Sequence, residues 1–103
     1  MSYFIYILYS ASSEIYYVGY TSNPKLRFQQ HNSNEKDKFT GKHKPWKMVA
    51  LFEVGEKNNA IEIERFIKRQ KSKKLLITIS NPDFIPSGKL TCLKRVEVAL
   101  LLS

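Results

Sequence analysis

YFIYILYSASSEIYYVGYTSNPKLRFQQHN, from Tyr3 to Asn32, holds two aromatic and β-branched runs followed by a segment with the marks of a short helix. Tyr3 to Tyr9 is continuous in strand-forming residues and too short to span a membrane, so it predicts a central strand buried on both faces. Ser10 to Glu14 carries three serines and no large apolar group. It predicts a turn, and hence a hairpin whose second strand is Ile15 to Tyr20. Adjacent strands bring tyrosines such as Tyr6 and Tyr17 side by side, with their hydroxyls at one rim of the sheet. The register is open at this level. Gly19 interrupts the second strand, where a glycine marks a bulge or a close approach of the backbone by a neighbour or a ligand. Ser22, Asn23 and Pro24 then supply a capping side chain and a proline at the first helical position, where its missing N–H costs nothing. Arg27 and His31 are four residues apart and share one face of that helix.

Working outward, Ser33 to Lys47 is a polar, cationic loop, SNEKDKFTGKHKPWK, broken by Gly41 and Pro45. Its lysines, with Phe39, His43 and Trp46 among them, suit phosphate contact plus stacking; alternatively the aromatics anchor the loop and the lysines are solvated. Met48 to Val54 predicts a third strand closed by Gly55. Asn58 or Asn59 then caps a helix from about Ala60 to Lys71, whose apolar face is Ala60, Ile63, Phe66 and Ile67 with Ile61 at its edge. Glu62 and Arg65 point away from that face. Glu64 projects between Ala60 and Ile61, where helix meets sheet. Spacing alone offers an ordinary i,i+4 ion pair with Lys68. The segment LLITIS, Leu75 to Ser80, is either a helical piece or a strand; Asn81 to Gly88 is turn chemistry; the tail from Lys89 is a short strand or a helix, and its terminal leucines suit a homodimer contact.

The chain has 103 residues, which predicts one domain over 1–103, and its 43% hydrophobic and 13% aromatic content suits a packed core. Seventeen Lys and Arg against nine Asp and Glu give a net charge of +8, which implies either a polyanionic partner, nucleic acid before a membrane surface, or a polar, solvated surface. Met1 runs into a strand without a basic leader, and no apolar stretch of about 20 residues occurs, so a cytoplasmic location is expected. The single cysteine, Cys92, excludes an internal disulfide and is expected to pack as a small buried hydrophobe.

The ordered set of Phe4-Ile5-Tyr6, Tyr17-Val18-Gly19, Arg27, His31, Asn32 and Glu64 resembles the GIY-YIG nuclease superfamily in its small stand-alone members. The likeness runs from about Tyr3 to Ile79, with Thr40, Pro45 and Trp46 fitting a middle segment and Ala60, Glu64 and Lys68 fitting the acidic helix; residues 80–103 extend beyond it. Phe4 stands in place of the name-giving glycine, and Val18 in place of the isoleucine. The resemblance implies an α/β (α+β) fold, a small three-stranded, mainly antiparallel sheet flanked by helices. It implies metal-dependent hydrolysis of phosphodiester bonds in nucleic acid, DNA before RNA. Tyr17 would be the general base or water orienter, Tyr6 its neighbour, Arg27 the clamp on the phosphate, and Glu64 the ligand of a single Mg²⁺ or Mn²⁺, which keeps most of its waters when one carboxylate holds it. A tyrosine, with an ordinary pKa of ~10, works as a base at neutral pH only if nearby positive charge lowers that value. His31 would share proton transfer or contact phosphate, or else be an ordinary hydrogen-bonded surface histidine. Gly19, Lys42, Lys44 and Lys68 are the candidate nucleic-acid contacts. A module that keeps the fold and basic surface but does not cut is the alternative.

Overall fold

The computed structural model describes residues 2–33 and 42–99. Two predicted features, loop residues 34–41 with Thr40 and Gly41 among them and the terminal leucines, lie outside these residues. Strand β1 (Tyr3–Ser10) and strand β2 (Ile15–Thr21) form the expected hairpin, followed by helix α1 (Pro24–Ser33). Strand β3 (Lys47–Gly55), helix α2 (Lys57–Arg69) and helix α3 (Lys73–Ser80) come next, then a 3₁₀ turn (Gly88–Leu90) and strand β4 (Lys94–Arg95). The antiparallel sheet has the order β2-β1-β3-β4. The three expected strands are present, and a two-residue fourth strand from the tail joins them.

β1 is the central strand because it carries apolar side chains on both faces. Ile5 and Ile7 pack with Val18, Ala50 and Phe52 against Ala60, Ile63 and Ile67 of α2 and Ile79 of α3. Tyr6 and Leu8 point the other way, to Trp46, Met48 and Leu51, with Phe28 of α1 against them. Successive residues of a strand alternate faces, so one run of seven apolar residues feeds two layers. A register shift between Ile7 and Leu8 against β3 lets Met48 and Ala50 serve opposite layers.

The helices start where local chemistry allows. The Asn23 side chain accepts from the Leu26 amide at 3.2 Å, with Pro24 at the first helical position, as the sequence predicts. α2 begins at Lys57, three residues earlier than expected from Asn58 and Asn59. Gly55, at φ 82°, turns the chain directly out of β3, so the Ala60 amide already reaches the Glu56 carbonyl at 3.2 Å. LLITIS is helical. Ser72 Oγ accepts from the Leu75 amide at 3.0 Å, and Thr78 and Ser80 return their hydroxyls to the carbonyls of Lys74 and Leu76, so a good cap offsets the β-branched residues. Arg95 on β4 covers the end of α3 by donating to the carbonyls of Ile79 at 2.8 Å and Asn81 at 3.0 Å, while its guanidinium lies 4.8 Å from the Phe52 ring centre. Cys92 is exposed, contrary to expectation. It stands in the turn between Leu90 and Leu93, and those two leucines take the buried positions.

Candidate active site

Tyr6 pairs in register with Gly19, and Tyr17 with Leu8. The two tyrosines are therefore diagonal neighbours on one face of the hairpin, with ring centres 6.3 Å apart and planes at 29°. The diagonal works because Gly19 has no side chain. A methyl group there would overlap the Tyr6 hydroxyl and stand 2.5 Å from its Cζ. The close approach predicted at Gly19 is thus made by the Tyr6 ring, which lies across the strand.

α1 crosses above this face. Its position His31 is 2% exposed, and its Nε2 lies 2.8 Å from the Tyr6 hydroxyl, itself on a ring only 1% exposed. His31 is therefore a buried partner of Tyr6 and not a surface histidine. One turn earlier on the same helix, the Arg27 guanidinium stands near the phenols of Tyr6 and Tyr17, whose oxygens favour its charge, and it donates to Gln30 Oε1 at 3.3 Å. The Tyr6 hydroxyl and His31 Nε2 share one hydrogen bond, whose direction follows the histidine tautomer.

Burial pushes the Tyr6 phenol well above its ordinary value; Arg27 opposes this, and the negative charges of Tyr17 and Glu64 add to it. The neutral phenol is therefore the favoured form of Tyr6. For Arg27, burial works against the charge, but the Tyr6 and Tyr17 oxygens outweigh it and hold the guanidinium ionised.

Glu64 arrives from α2, on the other side of the sheet, where the helix meets the edge strand β2. Its carboxylate makes the predicted pair with Lys68, Oε1 to Nζ 3.4 Å, with side chains 18% and 50% exposed. Lys68 Nζ in turn stands 5.7 Å from the centre of the Tyr17 ring. A half-exposed pair of this kind contributes about 0.2–1 kcal/mol. Among the described residues no three His, Cys, Asp or Glu side chains gather into a metal-binding group. A lone carboxylate such as Glu64 could hold a hard cation if that ion kept most of its waters.

Lys42 and Lys44 lie outside this cluster, on a segment stitched to the β1–β2 turn. Ser10 Oγ donates to the His43 carbonyl at 2.6 Å, and His43 Nδ1 lies 2.8 Å from Ser13 Oγ. Trp46 is buried, and its backbone is held at both ends by Asn32, whose Oδ1 accepts from the Trp46 amide at 2.5 Å and whose Nδ2 donates to its carbonyl at 3.1 Å. The indole sits 6.0 Å from the Tyr17 ring. Asn32 therefore clamps the aromatic wall behind Tyr17. The sequence pattern placed Asn32 beside His31 but gave no sign of this clamp, because its partner is backbone 14 residues away.

The model of the GIY-YIG catalytic domain matches residues 2–76. A UPF0213 protein of Limosilactobacillus reuteri is 38% identical over 80 residues, covering 72% of this chain and 82% of the relative. The UPF0213 protein YsiG of Lactococcus lactis is 32% identical over 83 residues, covering 81% and 79%, and a UPF0213 protein of Syntrophus aciditrophicus is 33% identical over 82 residues, covering 78% and 93%. The matched span runs from β1 into α3 and contains Tyr6, Tyr17, Arg27, His31 and Glu64 alike. With residues 2–76 matched to that domain and relatives of 32–38% identity alongside, the chain belongs to the GIY-YIG family of nuclease-type catalytic domains.

Proposed function

We propose that the protein is a divalent-metal-dependent endonuclease that hydrolyses phosphodiester bonds, in DNA before RNA. What carries this reading is the grouping of Tyr6, Tyr17 and His31 on one face of the hairpin, with Arg27 from α1 and Glu64 from α2 close enough for their charges to act on the Tyr6 phenol. Tyr17 orients the attacking water and takes its proton, being the half-buried tyrosine of the pair. Arg27, held ionised against two phenols, neutralises the non-bridging oxygens of the phosphate as charge builds there. Tyr6 and His31 act through Arg27 and Tyr17: their buried hydrogen bond fixes the guanidinium and the ring face. Glu64 would hold a single Mg²⁺ or Mn²⁺, which supplies charge stabilisation at the phosphate and leaving oxygen. Lys68 balances Glu64 when no cation is bound, and is free to turn to a phosphate when one is.

Incubation of the purified protein with plasmid, branched DNA and RNA in Mg²⁺, Mn²⁺ or EDTA tests the activity directly. Cleavage that needs the metal is the expected outcome; no cleavage of any substrate sinks the reading. Tyr17→Phe removes one hydroxyl and is expected to abolish cleavage while metal-dependent thermal stabilisation persists. Retained cleavage would move the proton acceptor elsewhere.

The second reading, a binding module that does not cut, has one observation in its favour: Glu64 already has an ion-pair partner in Lys68. Both readings share an electrostatic footprint, with Lys42 exposed and Lys44 partly so on the stitched segment. Replacing both with alanine is expected to flatten the log–log dependence of duplex affinity on salt by up to ~2 units, at ~0.9 per phosphate contact. An unchanged slope measured by fluorescence anisotropy would place the phosphate contacts elsewhere on the surface.

A further inference from the structure

A groove of ≈ 450 Å³ runs along the outer edge of β2, between that strand and the corner joining α2 to α3. β2 is the last strand of the sheet on this side, so among the described residues no strand covers it. The apolar lining comes from Ile67 and Leu76 on the helices and from Ile15 and Tyr17 on the strand edge. The charged lining is mainly cationic, Lys68, Lys71 and Lys73 against the one carboxylate of Glu14. Lys68 and Lys71 also wall a second groove, ≈ 440 Å³, that contains Glu64. The two grooves therefore meet at the same ammonium groups, and the candidate active site continues into the β2 edge.

The backbone of this corner is costly in an informative way. Lys71 has φ 47° and, across the groove, Glu14 has φ 55°; both are left-handed without being glycine. Glycine or asparagine would end α2 with less strain, so the lysine at this position is favoured by something other than the turn. The two walls are tied together, because Lys73 Nζ donates to the Glu14 carbonyl at 2.8 Å. An apolar and aromatic lining beside ammonium groups is the chemistry that takes an unpaired nucleotide, base on the apolar side chains and phosphate on the lysines.

We propose that this groove holds one unstacked nucleotide of the bound strand, adjacent to the scissile phosphate, with its base over Ile15, Ile67 and Leu76 and its phosphate on Lys71. The proposal rests on the reading that the neighbouring site acts on nucleic acid. It is tested by fluorescence anisotropy in EDTA, where nothing is cut, with an oligothymidylate and the same sugar–phosphate chain carrying abasic sites. The wild-type protein should bind the base-bearing strand roughly tenfold more tightly, from base contact alone. Lys71→Gly eases the backbone while removing the charge. It should leave the thermal midpoint unchanged or higher, weaken oligothymidylate binding severalfold and lower the salt slope by ~0.7. Lys71→Arg should restore both. Equal binding of the two strands by the wild type, or unchanged affinity and slope in Lys71→Gly, overturns the subsite. Plasmid cleavage in Mg²⁺, run in parallel, keeps the two ideas apart: cleavage without base-dependent binding sinks the subsite and leaves the nuclease standing, whereas base-dependent binding without cleavage leaves the subsite standing and sinks the nuclease.

Discussion

Glu64→Gln is expected to abolish cleavage with the fold intact. Glutamine keeps the length and helix propensity of the side chain on α2 and removes only the charge that attracts a divalent cation. If the cation supplies even about 3 kcal/mol at the transition state, its loss costs on the order of a hundredfold in rate, at about 1.4 kcal/mol per tenfold. The thermal stabilisation given by Mg²⁺ or Mn²⁺ should vanish with it, because a ligand raises stability only through its affinity for the folded state. Stability without metal should fall by no more than ~1 kcal/mol, since the ion pair with Lys68 at 3.4 Å is half exposed. Nucleic-acid binding should persist or tighten, a negative charge having left the phosphate site. If Glu64 serves only to pair with Lys68, the variant will cut as well as the wild type and lose a few tenths of a kcal/mol. Unfolding curves with and without metal, beside a cleavage time course, separate the two cases.

Gly19→Ala should be the most damaging single methyl group in the described chain. The added carbon falls on the Tyr6 hydroxyl and Cζ, and that ring cannot swing away, being 1% exposed and hydrogen-bonded to a buried histidine. Overpacking of this kind costs about 1–3 kcal/mol, and forcing Tyr6 off His31 leaves a buried polar group unpaired at a similar cost. For a domain of this size each kcal/mol lowers the melting temperature by roughly 4–8 °C. Cleavage should fall further than stability, because Arg27 rests on the displaced phenol and a misplacement of about 1 Å can cost a hundredfold. The cause is checked by a double-mutant cycle: with Tyr6→Ala already in place, Gly19→Ala should add little, the obstacle being gone. A wild-type melting temperature and rate in Gly19→Ala would show that the Tyr6 ring does not lie across the strand.

Much of this protein is legible in its sequence, and the legible part is local. The apolar run of Tyr3 to Tyr9 declares a central strand because period-two alternation with both phases apolar leaves no solvent face. Ser22-Asn23-Pro24 declares a helix start because capping and a missing N–H act within one turn. Arg27 and His31 share a face by the same short arithmetic, and Ala60, Ile63 and Ile67 mark the buried side of α2. Tertiary structure decided the rest. Nothing within Ile15 to Thr21 tells that Gly19 stands opposite Tyr6, since register is set by how two strands and a covering helix settle their side chains together. Nothing around Glu64 tells whether its carboxylate meets the tyrosines or only Lys68, since that depends on where α2 crosses β2. Asn32 finds Trp46, Arg95 finds the end of α3, and Cys92 gives up its buried place to Leu90 and Leu93 through contacts between distant parts of the chain. Periodicity and capping are written in neighbouring residues and can be read there, whereas register and docking are won by packing across the whole core, where one residue's place depends on what every other element leaves open.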